Sequence, residues 1–120
     1  MRHRVLRTVV LAAALAAVPG CNPSPPATPP SPREAAIEEG RRAYLANCVM
    51  CHNADPTKPG GAGPEVAGAS RELLEARIMR ASYPPGYQPK RQTKAMVALP
   101  HLAAKLDALA AYLGSVTAAQ

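Results

Sequence analysis

A small domain without Phe and without Trp cannot fill its interior in the ordinary way. This chain has 120 residues, enough for one domain, and its only aromatic residues are four Tyr. A domain this small buries only about 60% of the surface its unfolded chain exposes, and large aromatics normally supply much of that area. Something else must occupy the core: disulfides, a metal or a bulky cofactor. The same numbers argue against a multidomain protein, a multi-pass membrane protein and a β-sandwich.

The first residues are not part of that core. Residues 1–20 read as a signal peptide, with a basic start (Arg2, His3, Arg4, Arg7) and an apolar stretch from Val9 to Val18. About ten apolar residues suit a signal and are roughly half a membrane span. The stretch ends in Val18-Pro19-Gly20-Cys21, which resembles the bacterial lipoprotein signal, where the Cys becomes the first mature residue and carries lipid. That resemblance implies lipidation of Cys21 and attachment to a membrane, lasting because several acyl chains are held there. It also implies an exported, periplasmic protein, and Asn22 after Cys21 favours the outer membrane. The plainer alternative is ordinary cleavage nearby, which leaves Cys21 idle or removes it. Loss of residues 1–20 removes three Arg and no acid, so the net charge falls from +6 to +3. Nucleic acid thereby loses its main argument as a partner.

Residues 21–32 are then the lipidated Cys and a linker. Six of the eleven residues 22–32 are Pro. Such a segment extends as polyproline II, about 3.1 Å per residue and up to about 34 Å in all, and makes a semi-rigid spacer.

The domain is expected over residues 33–117 and is all-α. Ser31-Pro32-Arg33-Glu34 is a helix start, with a Ser cap, Pro in the first turn and Glu completing a capping box. This helix should run to about Cys48 and bury Ile37, Tyr44, Leu45 and Cys48. Gly40 in its middle costs about 1 kcal/mol against Ala and so suggests a second helix crossing closely. A second helix should start near Ser70 and end before Pro84-Pro85, with Leu74 and Ile78 four apart. A third, over about 102–117, has Leu102, Leu106, Leu109 and Leu113 at helical spacing. No stretch alternates with period two. The loops 53–68 and 82–99 are long for so small a domain unless a ligand orders them.

Cys48-Val49-Met50-Cys51-His52 names that ligand. CxxCH is the attachment signature of c-type haem. Two thiols three apart can each add to one vinyl group of the porphyrin, and the adjacent His lies beneath the iron as proximal ligand. A thioredoxin-like CxxC enzyme would need a βαβ pattern, which is absent. A zinc site from Cys48, Cys51, His52 and His101 has poor spacing, since adjacent Cys51 and His52 can hardly both point at one tetrahedral ion. With one Cys lipidated and two on haem, none is left for a disulfide.

Residues 34–114 resemble a small class I cytochrome c of the bacterial type. The residues carrying the resemblance are Gly40, Tyr44, Cys48, Cys51 and His52 in the family's spacing, the Gly63-Pro64 turn, and Ala108-Leu109-Ala110-Ala111-Tyr112-Leu113 as the last helix. The resemblance implies about three main helices and long loops around one covalent haem. It implies that the Pro64 carbonyl accepts a hydrogen bond from His52 Nδ1. It places Arg77 where some relatives contact a haem propionate; an exposed helix Arg is the plainer reading. Tyr83 and Tyr87 either bond a propionate or pack on their loop.

Four side chains compete for the sixth iron position. Met50 lies inside the attachment loop, and Met79 falls in a helix beside Ile78 as a core residue. His101 begins the last helix. Met96, 44 residues after His52, stands where the family carries its distal Met, and the resemblance implies Met96 as ligand. His101, Met79 and an open position remain the alternatives. His and Met together occupy both axial places, which suits single-electron transfer between redox partners rather than enzyme catalysis. Lys90, Arg91 and Lys94, ahead of Met96, would form a basic rim that steers acidic partners, or simply a solvated loop. The rival functions keep the haem. An open or labile sixth position would make a gas sensor or peroxide-reactive site, and a haem subunit would act only inside a larger oxidoreductase.

Overall fold

The computed structural model describes residues 28–116. The signal segment, Cys21 and most of the Pro-rich linker lie outside the described residues. Within them the elements are α1 (Pro32–Asn47), α2 (Arg71–Arg80), a 3-10 helix (Pro100–Lys105) and α3 (Leu106–Ser115), with no strand. None of these helices is long and apolar enough to cross a membrane.

Local chemistry explains each boundary. Ser31 Oγ accepts from the Glu34 backbone N–H at 3.3 Å, and Glu34 returns the bond to the Ser31 N–H at 2.7 Å. These bonds satisfy two donors that every helix start leaves orphaned. Ser70 caps α2 in the same way, accepting from Leu73 N–H at 3.1 Å. The C-terminal end of α2 turns at Ala81, whose φ of 50° is left-handed. There the Ser82 N–H donates to the Ala76 carbonyl at 3.1 Å.

The third helix departs from expectation. Its first six residues, Pro100–Lys105, wind as a 3-10 helix, and α geometry begins only at Leu106. Pro100 cannot donate a backbone hydrogen bond, and no side chain caps the start. Leu45 also departs, at 37% exposed. Ile37, Tyr44 and Cys48 lie along the inward stripe, and Leu45 is one residue, roughly 100°, past it.

α1 and α3 cross at Gly40 and form the main packing pair. A Cβ on Gly40 would collide with the Ala108 carbonyl oxygen and lie 2.8 Å from Tyr112 Cβ. The Tyr44 and Tyr112 rings meet beside this crossing, 5.7 Å apart and tilted by 53°. Such a tilted pair adds about 1 kcal/mol beyond its burial. Leu74, Ile78, Leu102, Leu106, Leu109 and Leu113 complete the core. Two ion pairs, Lys105–Glu39 at 2.6 Å and Arg71–Asp107 at 2.8 Å, cross between elements on the surface.

Candidate functional site

The C-terminal end of α1 delivers the CxxCH run. The Cys48 N–H still bonds the Tyr44 carbonyl, and the Cys51 and His52 N–H groups both bond back to Cys48 O, at 3.2 and 2.9 Å. The chain therefore turns tightly at the end of the helix and brings the two thiols and the imidazole to one wall. Both thiols are free and half-buried. Burial, and next the neighbouring Cys51, push the Cys48 thiol up to about 11, so it is held protonated at neutral pH.

The loop after the motif folds back onto it. Ala62 and Gly63 donate to the Cys51 carbonyl at 3.2 and 2.9 Å. Cβ atoms at Gly60 or Gly63 would strike this turn. At Gly60 the atoms met are the Cys51 carbonyl oxygen and the His52 backbone; at Gly63 they are His52 Nδ1 and Cε1, both at 2.5 Å. Gly60 escaped the sequence reading, although the density of glycine in Gly60-Gly61-Ala62-Gly63 marks a close approach of two backbones. The Tyr44 hydroxyl, also unforeseen, donates to Asn53 O at 2.6 Å and ties α1 to the same loop.

His52 Nδ1 lies 2.8 Å from the Pro64 carbonyl oxygen. A carbonyl only accepts, so Nδ1 carries the proton and Nε2 keeps its lone pair for a metal.

These groups face a cavity of about 450 Å³. Val66, Leu73, Leu74, Ile78, Leu99 and Leu109 give it an apolar lining. Met96 lines it too, together with Cys48, Cys51 and His52. The other candidates for the sixth position are elsewhere. Met50 is 94% exposed. Met79 packs against the core and is not part of the cavity wall. His101 is exposed, with Nε2 3.5 Å from Asn47 Oδ1. A zinc site built with His101 finds no support in this placement, and no three His, Cys, Asp or Glu cluster around a metal position among the described residues.

Arg77, Tyr83 and Tyr87 line the cavity and border solvent. The Arg77 guanidinium sits 4.3 Å over the Tyr83 ring and donates to Ala81 O at 2.7 Å. Tyr83 stacks flat on Tyr87, with centroids 5.4 Å apart. The two tyrosines thus stack on each other at the cavity edge. Lys90 and Arg91 are not free rim charges. Lys90 pairs with Glu65 at 3.0 Å, and Arg91 donates to Gly61 O and Gly60 O, each at 3.2 Å. The Lys90 hydrogen bond holds the Glu65 carboxyl below its ordinary pKa. Lys94 is exposed.

The donor set fits a covalently held haem. It has two thiols at vinyl-linking spacing, an imidazole with a fixed tautomer, a thioether on the same cavity and an apolar lining. An all-α domain with such a site is of the haem-attaching class. The cytochrome c family model matches residues 37–117, and the chain belongs to that family. No curated protein and no solved structure matches it. Its cofactor is accordingly one c-type haem with iron, attached through the CxxCH motif, and its general function is haem-based electron transfer with redox partners. The haem is the bulk that a chain without Phe and Trp lacks.

Proposed function

We propose that the protein is a membrane-tethered, periplasmic carrier that passes single electrons between redox proteins and catalyses no reaction of its own. Cys48 and Cys51 hold the haem, His52 is the proximal ligand and Met96 the distal one. When bound, the haem supplies a one-electron Fe(III)/Fe(II) couple. The observation that carries the reading is the placement of Met96, which alone among the four candidates lines the cavity with His52.

The chain's own groups do the rest. His52, oriented by Pro64, gives a basic nitrogen, while Met96 gives a soft thioether that favours the reduced metal and raises the potential. With His52 and Met96 both binding the metal, no position on it would be left open to a substrate. The apolar lining excludes water, so a change of one charge rearranges little. Arg77 borders the cavity and has guanidinium nitrogens to spare for a propionate. The lipid is carried on Cys21, in the outer membrane by the character of Asn22, and the Pro-rich linker ahead of α1, which begins at Pro32, would hold the domain off the bilayer by up to about 31 Å. Acidic surfaces on the partners complement the net +3 of the mature chain.

The test is the absorption spectrum of the holoprotein and of Met96→Ala. A weak far-red sulfur-to-iron band in the oxidised wild type, lost in the variant, is the expected result. A wild type without that band, which binds carbon monoxide readily when reduced, would replace the carrier with a gas-sensing or peroxide-reactive protein.

A further inference from the structure

We propose that Lys90 and Arg91 form a clasp that holds the Met96-bearing segment against the cavity, and so act as positioning residues for the sixth ligand. The proposal rests on Met96 being that ligand.

Residues 83–98 contain no helix and no strand. The segment is fixed at its two ends. Ser82 N–H donates to Ala76 O at 3.1 Å before it, and Leu99 N–H donates to Ile78 O at 2.7 Å after it. Between these points, among the described residues, the hydrogen bonds that leave the segment all come from two side chains. Lys90 Nζ reaches Glu65 O at 3.2 Å and its carboxylate at 3.0 Å. The Arg91 guanidinium places one nitrogen on Gly61 O and the other on Gly60 O, each at 3.2 Å. The remaining bonds of the segment, such as Tyr87 N–H to Pro84 O and Ala95 N–H to Thr93 Oγ1, are internal.

The acceptors are as telling as the donors. Gly60 and Gly61 stand in the turn that packs on the Cys51–His52 backbone, and Glu65 follows Pro64, the partner of His52 Nδ1. The clasp thus joins the segment that carries the sixth ligand to the loop that orients the fifth. A planar guanidinium suits two adjacent carbonyl oxygens, and a Lys or Gln cannot reproduce both bonds.

The magnitude follows from loop closure. With the clasp made, Met96 lies in the span 92–98, between Arg91 and Leu99. Without it the span is 83–98, a little over twice as long. Closure probability falls as about the three-halves power of length, so the clasp favours Met96 at its place by roughly threefold through entropy alone. Hydrogen bonds from a charged donor add to this, less than in a buried site because Lys90 is exposed and Arg91 partly so. Together they bring the expected effect to about tenfold.

The experiment uses ferric holoprotein and imidazole as a competing sixth ligand, followed through the far-red band and the main haem absorption. Wild type, Arg91→Gln, Lys90→Gln, their double variant, Met96→Ala and the surface control Arg42→Gln are compared. Arg91→Gln combined with Lys90→Gln should bind imidazole about tenfold more tightly; Arg91→Gln alone, which leaves the Lys90 tie one residue earlier, should bind it about threefold more tightly. The binding rate of each at saturating imidazole, which is limited by departure of Met96, should rise similarly. Lys90→Gln should shift in the same direction and by less, and serves if Arg91→Gln yields no holoprotein. Arg42→Gln should match wild type. If Met96→Ala loses the band while the clasp variants bind imidazole as wild type does, Met96 stands and the clasp is overturned. A wild type without the band, or a Met96→Ala protein that keeps it, removes Met96 as ligand and the clasp with it.

Discussion

The Nδ1 nitrogen of His52 and the carbonyl oxygen of Pro64 are 2.8 Å apart, and Gly63 stands against the same ring with no room for a Cβ. The orientation of the proximal imidazole is therefore set by a residue that bonds it and by a residue that has no side chain to push it. Gly63→Ala should displace the ring and weaken this hydrogen bond. A less basic imidazole stabilises the oxidised metal less, so the midpoint potential should rise. A loss of roughly 1 kcal/mol corresponds to about 40 mV in a one-electron couple. Potentiometric titration of the two holoproteins measures this, and an unchanged midpoint would show that the Pro64 contact does not tune the iron.

Gly40 leaves no room for a side chain where α1 crosses α3. An added methyl would meet the Ala108 carbonyl, which is backbone and cannot swing aside, and Tyr112 Cβ at 2.8 Å. Gly40→Ala improves helix propensity by about 1 kcal/mol, but the overpacking penalty is larger. The net effect should be a loss of roughly 2 kcal/mol, or about 10 °C in the thermal midpoint of the holoprotein. A midpoint equal to or above that of wild type would mean that α1 and α3 can separate at no cost.

How far the sequence could be read follows from which interactions are local. The Ser31–Glu34 capping box, the Ser70 cap and the CxxCH turn depend on residues a few positions apart, and each is legible as a pattern. Gly40 is legible because a mid-helix glycine is costly unless something needs the space. Pro64 and Met96 enter through family resemblance, and the positions of both depend on long-range folding. Arg91 is the opposite case. In sequence it is one of three cations in a loop, and its bonds go to backbone carbonyls 30 and 31 residues away, which no side-chain pattern marks. Leu45 misled because α1 has few apolar residues to define its stripe. The 3-10 start of the last helix was hidden by the regular spacing of Leu102, Leu106 and Leu109, which takes no account of what Pro100 does to the first turn.

Ala81 offers a stabilising change. Its φ of 50° is left-handed, a conformation that costs an L-residue about 1–2 kcal/mol and glycine almost nothing. The turn is held there by Ala81 N–H to Arg77 O at 3.0 Å and by Arg77 reaching Ala81 O at 2.7 Å. Ala81→Gly relieves the strain and increases the freedom of the unfolded chain, which offsets part of the gain. The expected net gain is about 0.5 kcal/mol, read as a rise of about 3 °C in the thermal midpoint. A fall in the midpoint would show that the left-handed cap is not under strain.

Tyr44 gives the domain an alkaline limit. Tyr44 is 1% exposed, and burial raises its pKa well above the usual tyrosine range. A group whose pKa is raised by folding contributes stability that is complete below the unfolded value and is lost as pH climbs toward the folded one. The unfolded phenol ionises near pH 10, so the loss should begin there. Its slope should approach about 1.4 kcal/mol per pH unit from this one group. Tyr44→Phe removes the hydroxyl that donates to Asn53 O at 2.6 Å, and at pH 7 it should cost about 1 kcal/mol. Above pH 10 the variant has no phenol to ionise at this position, so its stability should fall less steeply than that of wild type and the two curves should converge. Denaturant unfolding of both holoproteins from pH 7 to 11 measures this difference. Parallel curves across that range would mean that the Tyr44 hydroxyl is solvated in the folded protein and that Asn53 is not its partner.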